Sequence, residues 1–132
     1  MNYDPYAALW RWAGCFRHSD KNIGVPWHQI STSLADLCED VKIWIELKDD
    51  SRDVIAVRFH HKLVSIHPFP NGNGRHARFM TDILLNNVLG VTQFTWGGRN
   101  LSATSETRKT YITALQEADL DRYQALLEFV RS

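Results

Sequence analysis

The sequence carries no excess of either charge, with 15 Lys and Arg against 15 Asp and Glu in 132 residues. That balance leaves no long-range field to draw the protein to nucleic acid or anionic lipid, and no basic stripe makes up for it. Cysteine is scarce. Cys15 and Cys38 form no CxxC pair and lie at no metal-ligand spacing from a histidine, so they read as two reduced and partly buried thiols of a cytosolic protein. No apolar run approaches the ~20 residues of a membrane span, and no basic start followed by an apolar stretch marks a signal peptide. Repeats, low-complexity tracts and linkers are missing too. The expectation is a single cytoplasmic domain over residues 1–132, with neither membrane nor nucleic acid as partner.

What is present is an ordinary apolar share, 44%, and a pattern that is mostly helical. Tyr3 to Ala13 is rich in aromatics and reads as a helix end. Gly14 to Trp27 changes character, with Gly14, Gly24 and Pro26 around a polar centre, and predicts a β-hairpin turning near Ser19 to Asn22. Ile30, Leu34, Leu37, Val41 and Trp44 then fall at helical spacing, with Ser31 or Thr32 available as N-cap. Val54 to Ile66 gives a second helix, which must stop before Pro68. Phe79 to Val88 gives a third, ended near Gly90, and residues 91–100 read as irregular. Tyr111 to Ala118 and Tyr123 to Val130 give two more. The fold class expected is all-α, a helical bundle with a small β-hairpin flap before the core helices.

One segment carries chemistry, HPFPNGNGRHAR at residues 67–78. Glycines let the backbone curl so that successive N–H groups converge on one spot, an anion nest. A helix that starts there adds its free N–H groups and the positive end of its dipole. Arg75 and Arg78 are three apart, so both reach one phosphate chain. His67, at the rim, is placed to take a proton from a hydroxyl attacking a bound phosphate. Each feature alone is ordinary: Asn-Gly is a common turn, and a lone histidine or arginine is usually structural or solvated. Together, in this order, they describe a polyphosphate cradle with a base beside it.

The segment resembles the Fic motif, HxFx(D/E)GNGRxxR. The resemblance implies that His67 is the general base and that Phe69 anchors the loop in the core. It implies that Gly72, Asn73 and Gly74 hold the α- and β-phosphates of ATP, and that Arg75 and Arg78 hold the β- and γ-phosphates. The Doc branch, which transfers phosphate with ATP reversed, has Lys near the place of Arg75, so GNGR favours transfer of AMP. Trp10 to Trp27 is similar to the helix end and target-docking flap of Fic domains, and Phe16, Arg17, Ile23, Gly24 and Val25 are then the docking residues. WRWAGCFR, NIGVPWHQI and FTWGG resemble the group called mobile mystery protein B. The implied activity is adenylylation of a Ser, Thr or Tyr hydroxyl on a target protein, with ATP as substrate and Mg²⁺ as cofactor. A separate inhibitory antitoxin is the further partner implied.

Two departures qualify the resemblance. Asn71 stands where most Fic domains have the Asp or Glu that holds Mg²⁺, and an amide oxygen is a weaker ligand for a hard cation. The chain also begins almost at the flap, so N-terminal helices present in relatives are expected to be lacking. The self-inhibitory pattern (S/T)xxxE(G/N) finds only SATSET at 102–107, read as chance. A non-catalytic module that binds nucleotide or a partner is the alternative reading. Among other residues, His60 and His61 read as helix surface, with a supporting place behind the motif as the alternative, and Trp96 and Tyr111 read as core. Trp96, Gly97, Gly98, Asn100 and Tyr111 lie where the base of a nucleotide would lodge. His76 is given no role.

Overall fold

The computed structural model describes residues 16–98 and 105–132. A 3-10 turn at Trp27–Gln29 leads into α1 (Ile30–Leu47), followed by α2 (Arg52–Ile66), α3 (Asn73–Ile83), α4 (Ser105–Ala118) and α5 (Gln124–Val130). The end of α3 runs on into a π-helical stretch, Leu84–Leu89. No strand occurs among the described residues, so the architecture is all-α.

The long second helix, α2, is the centre of the bundle. It begins at a Ser51 N-cap whose Oγ accepts from the Val54 N–H at 3.2 Å, the usual way to satisfy a first-turn donor. It buries Ile55, Ala56, Val57, Leu63 and Ile66 and packs against α1, α3 and α5. Burial on most of its faces, rather than one stripe, is what an inner helix requires. The C-terminus closes the structure: Thr95 and Trp96 both donate to the Val130 carbonyl, at 2.8 and 3.1 Å. Arg131 forks onto Asp53 at the start of α2, at 2.8 and 3.0 Å.

Several expectations need correction. Residues 16–26 form bends, not the described arms of a hairpin; Gly14 and the Tyr3 to Ala13 stretch lie outside the described residues. The two arms bond to the chain around His67 instead of to each other. Arg17 N–H donates to Pro68 O at 3.0 Å and Val25 N–H to Ile66 O at 3.3 Å. The physical reason is Arg17 itself, whose side chain occupies the space between the arms and takes up the carbonyls that a ladder would use. The N-cap of α1 is Gln29, and neither it nor Ser31 or Thr32 makes a side-chain cap. α3 starts at Asn73, where the loop glycines end, and α4 starts at Ser105, earlier than the apolar spacing suggested. Their opening turns are polar, and spacing of apolar residues marks only the turns that face the core. His60 and His61 are buried, not on the surface.

Candidate active site

The stop of α2 makes the site. A residue before proline is pushed out of the helical region, and His67, the cap of α2, lies instead in the left-handed region at φ 54° and ψ 60°. For a non-glycine residue this costs of order 1–3 kcal/mol. Hydrogen bonds on both sides hold it there. Its N–H donates to Leu63 O at 3.3 Å, and its carbonyl accepts from Arg17 Nε at 2.7 Å.

Arg17 is 2% exposed, and its guanidinium also donates to the carbonyls of Ser19, Val25 and Ile66. The Asp20 carboxylate stands 3.9 Å away and is mostly exposed. A buried cation needs such partners to offset its lost hydration. Arg17, expected to dock a target, is therefore a tether between flap and loop. Phe16 and Val25 pack on the core, whereas Ile23 is 61% exposed. Gly24 is where the flap crosses His67. At φ +95°, a Cβ on it would lie 2.7 Å from Arg17 Nη2 and 2.8 Å from His67 Cβ, closer than any side chain tolerates.

The loop after His67 is clamped from inside. Phe69 is 2% exposed, with the His76 ring edge-on to it at 4.6 Å. Asn73 bonds it twice: Oδ1 accepts from Phe69 N–H at 2.9 Å, and Nδ2 donates to Phe69 O at 2.8 Å. The Asn73 amide is thereby used within the protein, and what this residue offers a ligand is its backbone N–H. Gly72, left-handed at φ 72°, is the N-cap of α3. The N–H groups of the turn after it have no intrahelical acceptor.

These parts line one cavity of about 520 Å³. His67, Asn71 and the backbone of 72–74 form one side, with Arg75 and Arg78 beyond them. Arg108, Tyr111 and Ile112 of α4 face them, and Ile23 and Val64 complete the wall. Three guanidiniums and no carboxylate among the lining residues give it the charge that would suit an anion. Burial lowers the pKa of His67 below the usual histidine range, with Arg17 and Lys21 adding to the shift. The imidazole is therefore neutral at pH 7 and able to accept a proton.

Two features escaped sequence reasoning. Arg108 lies three residues before Tyr111 on the same helix face, which was the available signal once Tyr111 was placed near a nucleotide. The other is His60, 0% exposed, which hydrogen-bonds Thr81 Oγ1 at 3.2 Å and Tyr111 OH at 2.6 Å. Trp96 is buried against it, ring centroids 4.6 Å apart, so its expected core role holds; Asn100 lies outside the described residues.

A sequence profile of the Fic/DOC family matches residues 6–85, a span that takes in the flap, α1, α2 and the whole loop from His67 to Arg78. No curated protein matches the chain.

Proposed function

The chain belongs to the Fic/DOC family, and on that premise we propose that it is a protein adenylyltransferase. The observation that carries this reading is the convergence of His67, the 72–74 backbone and Arg75, Arg78 and Arg108 on one cavity.

ATP binds with its α- and β-phosphates against the N–H groups at 72–74 and its outer phosphates against the arginines. His67 accepts the proton of a Ser, Thr or Tyr hydroxyl on the target. The hydroxyl oxygen forms a bond to the α-phosphorus, and the bond from that phosphorus to the bridging oxygen breaks. AMP stays on the target and pyrophosphate leaves, its charge spread over the guanidiniums. Preformed donors supply most of the rate, since the protein makes no covalent bond itself. The target lies across the flap, whose exposed Ile23 and Trp27 offer apolar contact.

Members of this family generally use Mg²⁺ with ATP, but the residues here do not fit a metal site of the protein's own. Asn71 offers the cavity one neutral oxygen, and no carboxylate lines it. Among the described residues no three His, Cys, Asp or Glu side chains gather. The same observation favours the second reading, a module that binds nucleotide and transfers slowly or not at all. No helix among the described residues is long and apolar enough to cross a membrane; we place the protein in the cytoplasm, beside ATP and its targets, with a separate antitoxin as its restraint.

The test is incubation of the protein with adenine-labelled ATP and a cell lysate. Label on protein bands supports transfer. ATP binding without any labelled band supports the binding module instead.

A further inference from the structure

The buried groups behind the arginines have a fixed direction of hydrogen bonding. Thr81 Oγ1 donates its proton to the Ala77 carbonyl at 2.7 Å, so toward His60 Nδ1, 3.2 Å away, it can only accept. The Ala77 carbonyl also faces His60. Both neighbours thus require the imidazole proton on Nδ1, which leaves Nε2 as an acceptor. Tyr111 OH, 2.6 Å from Nε2, must donate to it. The lone pairs of the phenol oxygen are then left for a donor beside the ring, and the guanidinium beside it is that of Arg78. The Arg78 guanidinium carbon lies 5.6 Å from the Tyr111 ring centroid. Arg78 Nη1 also lies close to Gly74, where an added Cβ would stand 3.2 Å from it.

We propose that Thr81, His60 and Tyr111 form a buried positioning chain that sets the direction of the Arg78 guanidinium before its anion arrives. The chemistry is a one-way relay of hydrogen bonds. A free arginine side chain has several rotatable bonds, and ordering them at the moment of binding reduces affinity. An acceptor on a rigid ring removes that cost in advance. His60 is suited to the relay because burial, foremost, depresses its pKa to about 3, so it stays neutral and its acceptor nitrogen is kept. Charged, it would donate from both nitrogens, and the phenol would have to turn its proton toward Arg78. Tyr111 and His60 are thus positioning residues. The proposal rests on the reading of Arg78 as a phosphate ligand, but the orientation of Arg78 can be observed without any ligand.

The experiment uses the ¹⁵N-labelled 132-residue chain, the Arg78 Nε–H signal, and titrations with ATP and with AMP, which lacks the outer phosphates. Wild type should show a dispersed, slowly exchanging Arg78 Nε–H that collapses toward the free-arginine position in Tyr111→Phe. Tyr111→Phe should weaken ATP about tenfold while leaving AMP within about twofold, the scale of one ordered charged contact. Added to Arg78→Ala, Tyr111→Phe should weaken ATP no further. Thr81→Ser, which keeps the hydroxyl, should behave as wild type, and Thr81→Val should shift the Arg78 signal; this pair serves if Tyr111→Phe does not fold. An Arg78 signal already averaged in wild type, or unmoved by Tyr111→Phe and by Thr81→Val, overturns the proposal. So does equal weakening of ATP and AMP. If wild type binds no ATP yet the Arg78 signal moves as stated, the nucleotide reading fails and the positioning chain stands.

Discussion

Two histidines seven residues apart on one helix, His60 in the middle of α2 and His67 at its end, have opposite surroundings. His60 is sealed, with both ring nitrogens bonded and its pKa held at about 3 by burial. His67 is only partly buried, at the rim of the cavity, with a smaller shift in the same direction. The same side chain is thus a fixed hydrogen-bond element in one place and a proton acceptor open to a ligand in the other. Environment, not residue type, decides which histidine can serve a reaction.

The contrast is broken most strongly at the rim. His67→Ala should lower transfer by about 10²–10⁴-fold, the usual worth of a general base, while ATP affinity stays within a few-fold. Parallel rate and calorimetric measurements check this; a collapse of ATP binding would show that His67 holds phosphate. Removing the interior partner should act on stability instead. His60→Ala leaves Tyr111 OH and Thr81 short of a partner and opens a void, at a cost of about 2–4 kcal/mol in urea unfolding.

A phosphate contact is next in size. Arg75→Ala should weaken ATP by about 1.5–3 kcal/mol, the range for a lost charged hydrogen bond, and an unchanged dissociation constant would remove Arg75 from the site. Asn71→Asp should weaken ATP in EDTA, through repulsion from the phosphates, and strengthen it when Mg²⁺ is added. Coincident titration curves for the two proteins would mean that residue 71 does not face the phosphates.

The same contrast can be read in pH. His60 has its folded pKa below the ordinary 6.5, so the unfolded chain takes up its proton first. The contribution of His60 to stability is complete above pH 6.5 and is lost as pH falls from there toward about 3, by up to ~1.4 kcal/mol per unit. His60→Gln should flatten that part of the stability curve, and an unchanged slope would contradict the sealed state of His60.

How far the sequence could be read follows the same division. That His67, residues 71–74, Arg75 and Arg78 line one cavity was legible because they are adjacent in the chain and each residue type has a local reason to be there. Arg17 and His60 were not, because their partners lie about 50 residues away, at Ile66 and His67 for one and at Tyr111 for the other. Nothing local distinguishes a buried arginine from a solvated one. The helices were found by their apolar spacing, and the start of α3 by its place after the glycines, but the start of α4 at Ser105 was missed. The flap was read as a hairpin from its β-favouring residues, whereas its hydrogen bonds go to the His67 loop.

The central claim is that the group transferred is AMP. It is tested most directly by incubating the protein with a lysate and ATP labelled at either the α- or the γ-phosphate, in parallel. The account predicts labelled protein bands from α-labelled ATP alone, absent with His67→Ala. Bands from γ-labelled ATP would mean phosphate transfer and a nucleotide bound in the reverse sense, and would contradict it.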